Sequence, residues 1–175
     1  MIWKIELFYL LKGENIMQIF TDGSFSKKPN IAGVGYIFVT KHKRFVYGDF
    51  CYKCNDNNIS EVFAIYRALK TLERRKDLFQ NEKTLQIITD SDYAIRKIQN
   101  YEYQGKDDFE IKLMKYIREQ IENYKKIDFM LIKGHVHNGT KLSFFNNMAD
   151  KIAGEQRKTG LQLIQIKNKK MIQKD

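Results

Sequence analysis

The sequence is poor in the residues that link a chain covalently or bind zinc. Its 175 residues include two cysteines, one proline and one tryptophan. Cys51 and Cys54 form one C-x-x-C pair, but a structural zinc site needs two further ligands and no second pair exists. A redox pair would need a strand-to-helix setting, whereas this pair lies in aromatic, strand-like sequence. We therefore expect two reduced structural cysteines.

Long apolar runs are also lacking. No run reaches the roughly 18 residues that a membrane-spanning helix requires. The apolar stretch 1–11 is interrupted by Lys4 and Glu6, and no small-residue cleavage site follows it. We therefore expect a soluble, cytoplasmic protein without a membrane partner. Residues 1–16 are interpreted as an N-terminal extension, either an added helix or strand or, if Met17 is the natural start, a translated leader.

The chain is rich in apolar residues and in positive charge. With 43% hydrophobic and 13% aromatic residues it can bury a sizeable core, so we expect one domain over 17–158 and a monomer. A net charge of +10 and a basic tail over 159–175 favour a polyanionic partner. Because the basic residues are spread along the chain, nucleic acid is favoured over a membrane surface. The alternative is that lysine-rich composition reflects genome bias and solubility.

The hydrophobic pattern predicts a mixed α/β sheet of five strands. Three strands come first, as an antiparallel meander, and two more are separated from it and from each other by helices. The predicted strands are 17–21, 33–40, 45–52, 84–89 and 127–133, with a turn over 23–30. The predicted helices run from about 58 to 75, from 91, from 107 to 124 and from about 146.

Four carboxylates lie at comparable places in this pattern. Asp22 and Asp90 are predicted to end strands, whereas Glu61 and Asp150 are predicted in early helical turns, Glu61 after a capping Asn58. Strand ends and helix starts converge at one edge of such a sheet, which is where sites form. Taken singly, each carboxylate is equally well explained as a helix cap or a surface ion-pair partner.

Four carboxylates close together need a cation. Buried together they would repel one another unless cations hold them. Hard oxygen ligands select Mg²⁺ or Mn²⁺. Two such ions can activate a water and stabilise the leaving oxygen of a phosphodiester, which gives acidic ligands a purpose in a basic protein.

The motifs resemble those of the ribonuclease H family of type 1 over Met17 to Lys158. The residues that carry the resemblance are Phe20-Thr21-Asp22-Gly23-Ser24, Asn57-Asn58-Ile59-Ser60-Glu61 leading into Ala64 and Ala68-Leu69, Thr89-Asp90-Ser91, Lys133-Gly134-His135, and Asn146 with Ala149-Asp150. The resemblance implies a ribonuclease H-like fold, with three antiparallel strands followed by two parallel ones and helices packed on the sheet. It also implies hydrolysis of the RNA strand of RNA–DNA hybrids, leaving 5′-phosphate ends.

The resemblance assigns roles to the four carboxylates and to one histidine. Asp22 would bridge two Mg²⁺ ions, replaceable by Mn²⁺. Asp150 would help to hold the ion that activates water, and Glu61 and Asp90 would bind the other. His135, on its loop, would assist proton transfer or product release, although a lone loop histidine is more often only solvated.

The resemblance also marks positions that contact the substrate. Asn57 and Asn58 match positions that reach into the minor groove, where 2′-hydroxyls distinguish RNA from DNA. Further substrate-binding positions are Ser24, Lys28, Ser91 and Asn146.

Some positions depart from the family pattern. The family commonly grips a DNA phosphate with a threonine and a basic residue, where this chain has Asp56 and Ile59. Lys28 replaces an asparagine, Asp92 replaces a frequent glutamine, and the basic handle of many bacterial members is missing. Substrate affinity would then come from other basic residues, for which the candidates are Lys27, Lys28, Lys41, Lys43, Arg44, Lys167, Lys169 and Lys170, although each is by default part of a solvated face.

The Phe144-Phe145 pair is expected in a long loop, where it would stack on bases or anchor the loop.

Two alternative functions stay open. The departures from the family pattern support a second function, a nucleic-acid-binding or interaction module inside a reverse-transcriptase, phage or defence complex. A third alternative is a related nuclease that acts on DNA junctions or single strands.

Overall fold

A five-stranded mixed sheet forms the centre of the protein. The computed structural model describes residues 16–79, 84–124, 126–134 and 139–172. The strand order is β3-β2-β1-β4-β5. The first three strands are antiparallel, whereas β1 with β4 and β4 with β5 are parallel. This confirms the predicted fold class.

The elements follow one another as the sequence pattern predicts, with shifted ends. The strands are β1 Ile16–Lys27, β2 Asn30–Val39, β3 Arg44–Cys51, β4 Thr84–Thr89 and β5 Ile127–Leu131. The helices are α1 Asn57–Arg74, the short α2 Lys76–Phe79, α3 Asp92–Gln99, α4 Asp108–Asn123 and α5 Lys141–Ile172.

Apolar side chains alternate between the two faces of the sheet. Ile19 of β1 belongs to the larger core with α1 and α4, whereas Phe20 belongs to a smaller core with α5. The same alternation separates Tyr36 from Ile37 in β2. Because successive strand residues point to opposite faces, one strand serves both cores. The sheet is therefore covered by α1 and α4 on one side and by α5 on the other.

Strand β1 is much longer than predicted. Asp22 does not end it but pairs with Gly35 in its middle, and the strand continues through Ser24 to Lys27. The predicted turn over 23–30 was therefore wrong, and the actual turn contains only Lys28 and Pro29, which are joined by a cis peptide bond. Polar residues after Asp22 remain in the strand because their backbones pair with β2.

The N-cap of helix α1 lies two residues before the predicted one. Asp56, not Asn58, is the N-cap, and its carboxylate accepts a 2.8 Å hydrogen bond from the Ile59 N–H. A carboxylate in this position satisfies a free helical N–H and complements the helix dipole. Glu61 therefore lies in the second turn of the helix, not in its first.

Among the helices, α5 differs most from its predicted bounds. It starts at Lys141 rather than near Asn146, and the Thr140 hydroxyl accepts a hydrogen bond from the Ser143 N–H at this end. Asp150 is consequently in the middle of a helix, not in an early turn. Phe144 and Phe145 lie on the helix and not in a loop. At its other end α5 continues without a break past Lys158 to Ile172.

Of the smaller features of the fold, two agree with the sequence pattern and one does not. Cys51 and Cys54 are free, as expected. Strand β5 ends at Leu131, two residues early, and Leu131 is exposed and not in the core. Ser91 and Asp107 cap α3 and α4, as their sequences predict. Among the residues that the structure describes, no helix is long and apolar enough to cross a membrane.

Candidate functional site

The four carboxylates predicted from the sequence line one cavity. It has a volume of about 460 Å³ and opens at the edge of the sheet. Asp22 comes from β1, Glu61 from α1, Asp90 from the residue after β4, and Asp150 from α5. Segments that are far apart in sequence thus bring four acidic side chains together.

The cavity lies where the pairing between β4 and β1 ends. The two strands pair from Ile16 to Phe20, so the backbone of Asp22 lies beyond the last paired residue. Asp22 is on the side of the sheet that α5 covers, as is Phe20 two residues earlier. Glu61 approaches from α1 on the other side. Carboxylates from both faces therefore meet at the carboxyl end of β4.

Gly23 fixes the position of Glu61. Its backbone N–H donates a 3.0 Å hydrogen bond to Glu61 Oε2. A Cβ atom at this residue would lie 2.6 Å from the Glu61 backbone nitrogen and 2.7 Å from the Ser60 carbonyl oxygen. Such distances are not tolerated between a Cβ and backbone atoms, so only glycine allows α1 to approach β1 this closely.

Asn146 holds Asp90. Its side-chain NH₂ donates a 3.3 Å hydrogen bond to Asp90 Oδ2. Asn146 is buried, and its own amide oxygen has no hydrogen-bond partner among the described residues. Asn146 lies one turn before Asp150 on α5, so the same helix supplies one carboxylate and orients another.

Burial and mutual repulsion favour the protonated forms of two of these carboxyl groups. Burial, followed by the charges of Asp90 and Asp150, raises the pKa of Asp22 to about 8. Burial, followed by the charges of Asp22 and Asp90, raises the pKa of Glu61 well above its usual range, although the Gly23 hydrogen bond acts in the opposite direction. Only 5% of Asp22 and 7% of Glu61 is exposed. Low exposure and neighbouring negative charge both penalise the ionised form.

The substrate-binding positions predicted from the sequence are only partly gathered here. Ser24, Asn57, Asn58 and Ser91 line the cavity. Asn146 contacts Asp90 behind them. Lys28, in the turn between β1 and β2, does not line it. The predicted proton-transfer residue His135 lies outside the described residues.

Besides Gly23, two further lining residues were not predicted as site residues. Asp92 and Tyr93 form the first turn of α3 and face the same cavity. Asp92 also forms an ion pair with Arg96, at 2.8 Å. The signal was present in the sequence, because Ser91 caps α3 and both residues follow it directly. Tyr93 is half-buried beside the cavity.

The donors fit a hard divalent cation by their chemistry. Four carboxylates supply only oxygen ligands, which Mg²⁺, Mn²⁺ and Ca²⁺ prefer. Burial first, and the neighbouring negative charges second, raise the pKa values of Asp22 and Glu61, and a bound cation would offset the repulsion among the carboxylates. In the described part of the chain, no three His, Cys, Asp or Glu side chains already stand in an arrangement that could hold an ion.

A comparison with protein families gives one match, to the model described as RNase H, over residues 14–158. This range covers all four carboxylates. A comparison with curated proteins finds no significant match.

Solved structures with the same fold include cellular and viral proteins. The N-terminal RNase H domain of a Mycobacterium tuberculosis protein, solved as a fusion with maltose-binding protein, has a TM-score of 0.66 at 15% identity, covering 86% of this chain and 99% of that one. LC11-RNase H1, in complex with an RNA/DNA hybrid, gives 0.62 at 21% identity, covering 83% and 99%. The protease-reverse transcriptase of prototype foamy virus gives 0.64 at 22% identity, covering 82% of this chain and 21% of that one.

Proposed function

Because the chain belongs to the RNase H family, we propose that it is an endonuclease that hydrolyses the RNA strand of RNA–DNA hybrids and leaves 5′-phosphate ends. The observation that carries the proposal is the meeting of Asp22, Glu61, Asp90 and Asp150 in one cavity of a chain with a net charge of +10. Acidic ligands for cations inside a basic, polyanion-attracting protein suit a phosphodiester substrate.

The four carboxylates are the residues that would hold Mg²⁺, with Mn²⁺ as a substitute. When bound, such ions supply an activated water and stabilise the leaving oxygen of the phosphodiester. Asp22 interacts with all three other carboxylates: after burial, the charges of Asp90 and Asp150 raise its pKa, and its own charge, again after burial, raises the pKa of Glu61. Gly23 and Asn146 orient Glu61 and Asp90, respectively.

The start of α1 is the part of the site best placed to recognise RNA. Asn57 and Asn58 are exposed in its first turn and line the same cavity as the carboxylates. Their amides both donate and accept hydrogen bonds, as do the 2′-hydroxyl and the base edges of a minor groove. Ser24 and Ser91 line the cavity from other elements. His135 is proposed, from the sequence, to assist proton transfer or product release.

A substrate panel tests this function. The protein is incubated with labelled RNA–DNA hybrid, duplex RNA, duplex DNA and single strands, in Mg²⁺ and in Mn²⁺. We expect cleavage of the RNA of the hybrid alone, with 5′-phosphate ends on the products. Intact hybrid in both metals overturns the proposal, and cleavage of DNA identifies the protein as a different nuclease of this fold.

The positions that should grip the DNA strand favour a second candidate function. Asp56 is occupied as the cap of α1, and Ile59 is buried with 5% exposure, so neither offers a positive group to a phosphate. A protein that has this fold but binds the DNA strand weakly could act as a nucleic-acid-binding or interaction module in a larger assembly. A tight, metal-independent complex with a partner and no cleavage of any substrate in the panel would favour this alternative.

A further inference from the structure

A basic turn and a pair of aromatic rings, about a hundred residues apart in sequence, meet at the start of α5. The guanidinium carbon of Arg44 lies 5.3 Å from the centroid of the Phe145 ring, within the range of cation–π attraction. The ring of Phe144 stands edge-on to that of Phe145, with 5.2 Å between centroids. Phe145 is 3% exposed and fixed in the core, whereas Phe144 is 56% exposed.

Further cations surround this contact. Lys41 and Lys43 are exposed in the turn that leads to Arg44, and Lys141 is exposed one turn before Phe145 on α5. We refer to Lys41, Lys43, Arg44, Lys141 and Phe144 as the basic aromatic surface. Within the described ranges, none of its four cations takes part in an ion pair. The N-terminal end of α5 adds positive partial charge at the same place.

The basic aromatic surface adjoins the acidic cavity. The ring of Phe145 packs on that of Phe20 at a tilt of 40°, with 5.2 Å between centroids, and Phe20 precedes Asp22 by two residues. Phe144 precedes Asp150 by six residues of one helix, which places it about 9 Å away along the helix axis. Phe144, of the basic aromatic surface, and Asp150 therefore lie on neighbouring turns of one helix.

Its chemistry suits an unpaired nucleic-acid strand. An exposed ring offers a stacking surface that any base can use, and nearby lysines and arginines attract the phosphates between the bases. A base inside a duplex is already stacked and has no free face for Phe144. An exposed aromatic ring beside cations that have no ion-pair partner therefore suits a single-stranded segment better than the hybrid itself.

We propose that the basic aromatic surface binds an unpaired stretch of RNA that continues from the hybrid beside the acidic cavity. Phe144 stacks on a base, and Lys41, Lys43 and Arg44 contact the phosphates on either side. The inference deepens the proposed function and rests on it for the identity of the strand. It predicts a preference for hybrids whose RNA extends beyond the paired region.

The test measures binding and not cleavage. An Asp22→Asn protein in Mg²⁺ is titrated against labelled hybrids that are either blunt or carry six unpaired ribonucleotides at one end or the other, and fluorescence anisotropy is followed. We expect one of the extended hybrids to bind about fivefold more tightly than the blunt one, because stacking on an aromatic residue contributes at least this much per base.

Two variants in the same background remove the surface. Phe144→Ala is expected to abolish the preference for the extended hybrid, and folding is expected to be unaffected because the ring is exposed. Lys43→Ala with Arg44→Ala is expected to reduce the preference and to lower the slope of log affinity against log salt by about 1.4, the value for two phosphate contacts on a single strand.

The matched control removes one lysine and one arginine from the opposite face of the sheet. Arg74 ends α1 and Lys112 lies on α4, both exposed. Arg74→Ala with Lys112→Ala should keep the preference. Equal binding of blunt and extended hybrids, or a preference that survives both surface variants, overturns the inference. A preference in a protein whose wild type fails to cleave the hybrid would uphold the surface and overturn the nuclease.

Discussion

The backbone N–H of Gly23 donates a hydrogen bond to Glu61 across the gap between β1 and α1, at 3.0 Å. Glu61 is thereby held beside Asp22, the residue that precedes Gly23, although 38 positions separate the two partners of the bond. The bond needs a close approach that any side chain at position 23 would prevent. Placement of two carboxylates in one site thus depends on a residue that has no side chain.

Asp22→Asn is expected to abolish hydrolysis of the hybrid while the protein stays folded. The substitution keeps the shape of the side chain but removes the charge that a cation needs. Even groups that only orient metal ligands typically contribute 10–100-fold, so we expect a loss of more than about a hundredfold in the cleavage rate. Single-turnover cleavage of labelled hybrid, with circular dichroism as the check on folding, measures this.

The control for this substitution is Asp77→Asn, at an exposed residue of α2. Asp77 forms an ion pair with Arg75 and lies outside the cavity. Its replacement removes the same charge and should leave the cleavage rate within about twofold, since exposed ion pairs contribute little. Equal losses in the two variants would show that net charge, and not the site, limits the rate.

Asn146→Ala is expected to weaken cation binding because it frees Asp90. Asn146 donates to Asp90 Oδ2, and Ala cannot. Partners of this kind typically contribute 10–100-fold to metal affinity or activity. We expect the Mg²⁺ concentration for half-maximal cleavage to rise about tenfold, and saturating Mg²⁺ to restore much of the rate. A fall in rate with an unchanged Mg²⁺ requirement would contradict this role.

The order of elements and the identity of the carboxylates were predictable from sequence, since each rests on a local pattern. Alternation of Val34, Tyr36 and Phe38 predicted β2, and helical spacing of Val62, Ile65 and Leu69 predicted α1. Thr89-Asp90-Ser91 marked both the end of β4 and the cap of α3. These patterns involve only residues that are near one another in sequence. They can therefore be recognised without knowledge of tertiary contacts.

The errors arose where tertiary contacts override local preference. Gly23 to Ser26 contain turn-forming residues, yet they stay in β1 because β2 pairs with them along their whole length. Phe144 and Phe145 follow a glycine-bearing loop, yet they belong to α5 because the Phe145 ring packs on Phe20 in the smaller core. The roles of Gly23 and Asn146 depend on partners far away in sequence.

The stability of the metal-free protein is expected to fall as the pH rises from about 4 to about 8. Asp22 has a pKa of about 8 in the folded protein, against an ordinary value of 3.8, so in this window the folded state holds a proton that the unfolded state releases. Each pH unit can cost up to about 1.4 kcal/mol from this group. Asp22→Asn should therefore stabilise the protein more at pH 8 than at pH 5.

Urea unfolding in EDTA at several pH values measures this difference. The comparison is between wild type and Asp22→Asn at each pH, so that titrating groups remote from Asp22 cancel. Loss of the Asp22 charge also lowers the pKa of Glu61, which changes the difference in the same direction. Glu102→Gln, which changes an exposed carboxylate outside the cavity, should show no such trend. Mg²⁺ should raise the stability of wild type more at pH 8 than at pH 6, because the ligands must lose their protons before the cation binds. A difference that is constant with pH would contradict the assigned pKa of Asp22.

Gly35→Ala is expected to destabilise the protein and Gly154→Ala to stabilise it. A Cβ on Gly35 would lie 2.9 Å from Ile152 Cβ and 3.0 Å from the Ala153 nitrogen, so α5 would have to move away from β2, at a cost of about 1–3 kcal/mol. A Cβ on Gly154 meets no atom within 4 Å, and alanine is preferred over glycine inside a helix by up to about 1 kcal/mol.

The two substitutions should also differ in their effect on cleavage. Because Gly35 pairs with Asp22 and α5 carries Asp150, Gly35→Ala should slow cleavage whereas Gly154→Ala should not. Thermal unfolding and cleavage rates of the two variants check both statements, and a stable, fully active Gly35→Ala protein would show that the packing of α5 on β2 does not position the site.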